Sequence, residues 1–120
     1  MKFRHVTISV ADLVESVRFY TEIVGLPVSR RFTSESGSEI VFLGEGETLV
    51  ELVYNSQRKD MTVGRGISLG FEIKSLEATE EFLRNEGIDY DKTKIGPNRE
   101  FLYVSDPDGV RIQFLASTTV

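Results

Sequence analysis

The sequence predicts an α+β protein made of two tandem βαβββ modules. Three observations carry that reading. Strands of period-two alternation open both halves of the chain. Each opening strand is followed by a capped amphipathic helix, and each helix by three further strand-like runs. Matching the helix caps gives an offset of 75 − 12 = 63, and matching the helix-ending glycines gives 87 − 25 = 62. A repeat of about 60 residues is too small to bury a secure core alone, so the halves are expected to work as one domain.

The elements follow in order. Residues 3–10 alternate, with Val6, Ile8 and Val10 on one face and His5, Thr7 and Ser9 on the other, the pattern of a half-buried strand. Asp12 is placed as N-cap with Glu15 three residues on, as in a capping box. Leu13, Val17, Tyr20 and Val24 fall at helical spacing, and Gly25 closes the helix. Strand-like runs follow at 28–33, 39–43 and 48–54, parted by the turn-forming stretches 34–37 and 44–47. In the second half Leu69, Phe71 and Ile73 alternate with Ser68, Gly70 and Glu72. Ser75 caps a helix with the stripe Leu76, Thr79 and Leu83, which ends at Gly87. Strands are expected at 90–94, 100–104 and 110–115, the last entered through the tight turn Asp106-Pro107-Asp108-Gly109. The modules span 1–54 and 65–117, with the polar stretch 55–64 as linker.

Composition narrows the function. The 120 residues include no cysteine and a single histidine. That excludes a disulfide framework, a thiol nucleophile, an iron–sulfur cluster and a thiolate zinc site. One histidine also excludes any site needing two from one chain. Fourteen basic against nineteen acidic side chains give a net charge of 14 − 19 = −5, and neither half is basic, which argues against nucleic acid as a partner. No apolar run reaches the ~20 residues of a membrane span, and the start lacks a signal-peptide pattern. A cytoplasmic protein is expected.

Three stretches, HVTISVADLVESVRFYTEIVGLPV, VELVYN and VSDPDGVRIQF, resemble the vicinal oxygen chelate superfamily, which holds glyoxalase I, the bleomycin-resistance proteins and a group of dioxygenases. The likeness is nearest to bacterial glyoxalase I-like proteins and runs from Phe3 to Leu115. It implies a cup-shaped mixed sheet with helices outside, and a homodimer. In metal-dependent members the first and last strands of each module supply the ligands. Carried over, those positions are His5, Glu51, Ser68 and Gln113, with internal offsets of 68 − 5 = 63 and 113 − 51 = 62. His5 and Glu51 match the family pattern. Ser68 replaces a usual histidine, and Gln113 a usual glutamate.

Each residue also has a plainer role open to it. A strand histidine commonly serves as a hydrogen-bonded surface or core group. Glu51, between Val50 and Leu52, needs a partner because an unpaired buried charge is costly, and an ion pair with Arg111 would supply one. Asp106 and Asp108 lack a twelve-residue calcium loop and read as turn residues. Gly44/Gly46 and Gly64/Gly66 do not form a dinucleotide fingerprint. Phe19, Tyr20 and Phe82 are expected in the core. The faces taken by Phe42, Tyr54, Phe101, Tyr103 and Phe114 depend on strand register.

Two functions follow from the resemblance. The first is a metal-dependent lyase or isomerase of small carbonyl compounds or their thiol adducts, working through an enediolate. His5, Glu51 and Gln113 would hold zinc, nickel or manganese there, with Glu51 as ligand or base. The second is a metal-free protein that sequesters a small molecule, as bleomycin-resistance proteins do. The dioxygenases and the thiol-transferring fosfomycin enzymes need two histidines and are set aside.

Overall fold

The computed structural model describes residues 1–58, 66–94 and 100–116. Residues 59–64 of the expected linker, and the expected module ends at 65 and 117, lie outside that set. The chain divides into two compact units, Met1–Val63 and Gly64–Val120.

The first unit contains β1 (His5–Ser9), α1 (Leu13–Arg18), a π-helical turn (Phe19–Ile23), β2 (Val28–Thr33), β3 (Glu39–Leu43) and β4 (Leu49–Tyr54). Its strands form one sheet in the order β1-β4-β3-β2, with β1 parallel to β4 and the other pairs antiparallel. The second contains β5 (Ser68–Ile73), α2 (Leu76–Asn85), β6 (Asp91–Lys94), β7 (Glu100–Ser105) and β8 (Arg111–Ala116). Its sheet has the matching order β5-β8-β7-β6. The chain is thus α+β with a βαβββ unit in each half.

Both helices start where their caps dictate. The Asp12 carboxylate accepts the Glu15 N–H at 3.1 Å, and the Ser75 hydroxyl accepts the Ala78 N–H at 3.1 Å. Both end on glycine at positive φ, +88° at Gly25 and +69° at Gly87, a conformation that side chains with a Cβ resist.

The halves differ by single residues, and each difference has a structural cause. Cap to glycine is 25 − 12 = 13 residues in the first unit and 87 − 75 = 12 in the second. The extra residue is taken up by the π-helical turn, where the Val24 N–H bonds the Phe19 carbonyl at 3.2 Å, five residues back. A β-bulge between Val28 and Arg30 absorbs another: β2 advances two residues while β3 steps from Leu43 to Phe42.

In each unit one sheet face meets the helix and the other is open. Ile8, Val10, Leu13, Tyr20, Val41, Leu43, Val50 and Leu52 are buried in the first unit, where α1 packs on β4. Leu83, Leu102, Val104, Val110, Ile112 and Phe114 are buried in the second, where α2 packs on β7 and β8. Each such side chain contributes about 1.5–3 kcal/mol through burial. Tyr20 is in the core as expected, but Phe82 is 39% exposed. The stripe through Leu76, Thr79 and Leu83 occupies the packed face of α2, and Phe82 flanks it.

The turn Asp106–Gly109 is built by its first residue. The Asp106 carboxylate, in a side chain with its residue 5% exposed, accepts the N–H groups of Asp108 and Val110, each at 2.8 Å. The Gly109 N–H reaches the Asp106 carbonyl at 3.0 Å, with Gly109 at φ +91°. In the same unit Glu80 joins α2 to β6 and the residue before it, accepting the Tyr90 hydroxyl at 2.7 Å and facing Lys92 at 3.3 Å.

Candidate functional site

The parallel pairing of β1 with β4 determines what the open face of the first sheet carries. Thr7 lies beside Glu51, Glu51 beside Phe42, and Phe42 beside Arg30, one residue from each strand in a single row. His5 stands two residues before Thr7, on the same face. Its Nε2 is 3.5 Å from Glu51 Oε1, with the His5 side chain 43% and the Glu51 side chain 14% exposed. The Thr7 hydroxyl donates to the same carboxylate oxygen at 2.5 Å. The imidazole stands edge-on to the Phe42 ring, centroids 5.5 Å apart.

The pairing of β1 with β4 brings His5 and Glu51, two of the four positions carried over from the resemblance, to one place. Glu51 takes His5 and Thr7 as partners, while Arg111, the ion-pair alternative, stacks over the Tyr103 ring at 3.9 Å. Thr7 was missed. Its signal was its place on the polar side of β1, two residues from His5.

The second unit repeats the row with other side chains. Gly70 lies beside Gln113, Gln113 beside Tyr103, and Tyr103 beside Asp91. Thus Gly70 answers Thr7, Gln113 answers Glu51, Tyr103 answers Phe42 and Asp91 answers Arg30. Ser68, exposed and paired with Arg111, answers His5. Gln113 Nε2 donates to the Tyr103 hydroxyl at 2.8 Å. That bond orients the amide, and its Oε1 lies only 3.1 Å from where a Cβ on Gly70 would sit. The Gln113–Tyr103 bond is a contact that the alternation pattern alone did not single out. The aromatic faces are now fixed: Phe42 and Tyr103 belong to the open rows, while Phe114 is buried.

A first-row metal with ligands at about 2.0–2.1 Å in tetrahedral array holds neighbouring donors about 3.4 Å apart. The His5–Glu51 separation of 3.5 Å fits two such donors. One imidazole nitrogen with one carboxylate oxygen suits zinc, nickel or manganese. Among the described residues no three His, Cys, Asp or Glu side chains form a metal-binding group.

A duplicated βαβββ unit with its helix on one sheet face and a His–Glu pair on the other defines a glyoxalase-like protein. The chain belongs to the glyoxalase/bleomycin resistance protein/dioxygenase superfamily, whose sequence model matches residues 2–114. It is 29% identical over 127 residues to the lactoylglutathione lyase of Salmonella typhimurium, covering 96% of this chain and 92% of that one. It is 32% identical over 117 residues to the uncharacterized protein YwbC of Bacillus subtilis, covering 92% and 93%. The trypanothione-dependent glyoxalase I of Leishmania major superposes with a TM-score of 0.84 at 27% identity, covering 99% of this chain and 88% of that chain. No helix among the described residues is long and apolar enough to cross a membrane.

Proposed function

We propose that this protein is a glyoxalase I-like lyase or isomerase that shifts a proton between neighbouring carbons of a small carbonyl compound or thiol adduct. The observation that carries the reading is the His5–Glu51 pair, 3.5 Å apart on an open sheet face. His5 and Glu51 are the residues to hold a divalent metal, and Gln113 is the second unit's counterpart of Glu51. A bound cation would polarise the substrate carbonyl and lower the energy of the enediolate. Glu51 is the one acidic side chain of the four family positions, so proton transfer falls to it. Its carboxylate takes the proton from the carbon beside the carbonyl and returns it to the adjacent carbon, leaving the protein unchanged. The Thr7 hydroxyl holds that carboxylate in place. The family likeness further suggests a cytoplasmic homodimer, which light scattering would measure.

Metal analysis of the purified protein, alongside His5→Ala and Glu51→Ala, tests this reading. Stoichiometric zinc, nickel or manganese, lost in both variants, is expected. A methylglyoxal–glutathione isomerase assay should then fall by about 10²–10⁴-fold in Glu51→Ala. Failure to take up any of the three metals on reconstitution would overturn the mechanism.

One observation favours a second reading, metal-free sequestration of a small molecule. The second unit offers Ser68 and an amide where acidic or imidazole ligands would complete a tight site. Tight ligand binding without turnover or metal would establish it.

A further inference from the structure

The open face of the first sheet holds a pocket of about 370 Å³ beside the His5–Glu51 pair, lined by Arg4, His5, Ser29, Arg30, Phe42 and Leu49. The lining contains two guanidinium groups, an imidazole and a hydroxyl, and no carboxylate, in a protein whose net charge is −5. Arg30 is fixed in place by its neighbours. Its guanidinium carbon lies 4.7 Å from the Phe32 centroid and 5.3 Å from the Phe42 centroid, and those two rings are themselves stacked 6.3 Å apart. Stacking occupies the face of a guanidinium and leaves its edge N–H donors available. Among the described residues neither Arg4 nor Arg30 has an acidic oxygen within ion-pair distance.

The bulge at Ser29 puts Arg30 in this row, opposite Phe42. Glu51 stands in the same row on the far side of Phe42, two strand spacings away, or about 10 Å between backbones. Negative and positive charge are therefore segregated along one line of side chains, with Phe42 between and His5 on β1, the strand beyond Glu51. The corresponding pocket of the second unit, about 610 Å³, is lined by Asp89 and Asp91 as well as Arg111, so the carboxylate-free lining belongs to the first unit.

We propose that Arg30 heads an anion subsite on the first sheet, and that the carbonyl substrate carries a carboxylate a few carbon atoms from its reacting centre. The substrate class rests on the lyase reading above; the anion subsite does not. A planar carboxylate meets the guanidinium edge through paired charge-assisted hydrogen bonds. Its carbonyl end then points along the row toward His5 and Glu51, where a second negative charge would be repelled.

Levulinate, a 4-oxo carboxylate, and its neutral methyl ester serve as probes, with binding followed by ligand-observed NMR and calorimetry on the whole protein without turnover. Levulinate should bind about tenfold or more tightly than the ester. Arg30→Gln should abolish that preference, Arg30→Lys should keep part of it, and Arg31→Gln, one position on along the strand, should keep all of it. Equal binding of acid and ester, no binding of levulinate, or a preference that survives Arg30→Gln would each overturn the subsite. A protein that binds no metal yet prefers the acid through Arg30 would refute the lyase reading and leave the subsite standing.

Discussion

Replacing Asp106 with alanine removes the acceptor that closes the turn into β8. Its Oδ1 takes two backbone N–H groups, those of Asp108 and Val110, both at 2.8 Å, and Val110 is itself 7% exposed. A hydrogen bond to a charged acceptor contributes about 1.5–3 kcal/mol net, and a buried donor left unpaired adds its own desolvation penalty. Asp108 is half-buried and regains part of its loss from water. The expected destabilisation is therefore about 2–4 kcal/mol. With a urea slope of about 2 kcal/mol per molar, the middle of the usual range, the unfolding midpoint should drop by roughly 1–2 M. Asp106→Asn retains an oxygen in the same place and tolerates the same turn, so it should recover more than half of that loss. A drop below about 0.5 kcal/mol for alanine, or an asparagine variant as unstable as the alanine one, would show that the carboxylate does not build the turn.

Three further outcomes are expected. The Tyr90 hydroxyl bond, with Lys92 and Arg84 alongside, holds the Glu80 carboxyl below the usual carboxylate range, so its stabilising effect is present above that range and lost as pH falls through the lowered value. Acid titration of stability should be shallower in Glu80→Gln, and an unchanged profile would count against the link between α2 and β6. Leu83→Ala, at a site with 0% exposure, should cost about 2–5 kcal/mol in chemical denaturation, whereas Phe82→Ala on the same helix should cost less than half as much. In Gly70→Ala the new Cβ meets only side-chain ends, Gln113 Oε1 at 3.1 Å and Leu115 Cδ2 at 3.3 Å. Stability should change by less than about 1 kcal/mol, while the Gln113 side-chain amide resonances shift; unmoved resonances would place the amide elsewhere.

The fold was legible where short-range chemistry decides it. Asp12, Ser75, Gly25 and Gly87 act at the positions their residue types suit, and His5 and Ser68, 68 − 5 = 63 residues apart, pair with Leu49 and Arg111, 111 − 49 = 62 apart. What was hidden depends on geometry that residue type does not encode. The change of offset from 63 to 62 was visible in the sequence, but that a π-helical turn absorbs it was not. Period-two alternation assumes an unbroken strand, so it could not place Arg30, whose face is decided by the bulge. Of the candidate site, His5 and Glu51 were readable because strand parity and a motif agreed. Thr7 was readable only as a polar-face residue of β1 and Tyr103 not at all, because their contacts follow from which strands become neighbours, a long-range outcome of the sheet order.

The bulge also has a consequence for how this protein can change. Removing Ser29 would restore one-to-one pairing in β2, with Val28 opposite Leu43 and Arg30 still opposite Phe42. An edge strand can accept such a deletion without disturbing the three strands behind it. The charge presented to a ligand is therefore insulated from the length of the strand's entry, and a one-codon deletion would remove the Ser29 hydroxyl from the pocket lining while leaving Arg30 in its row.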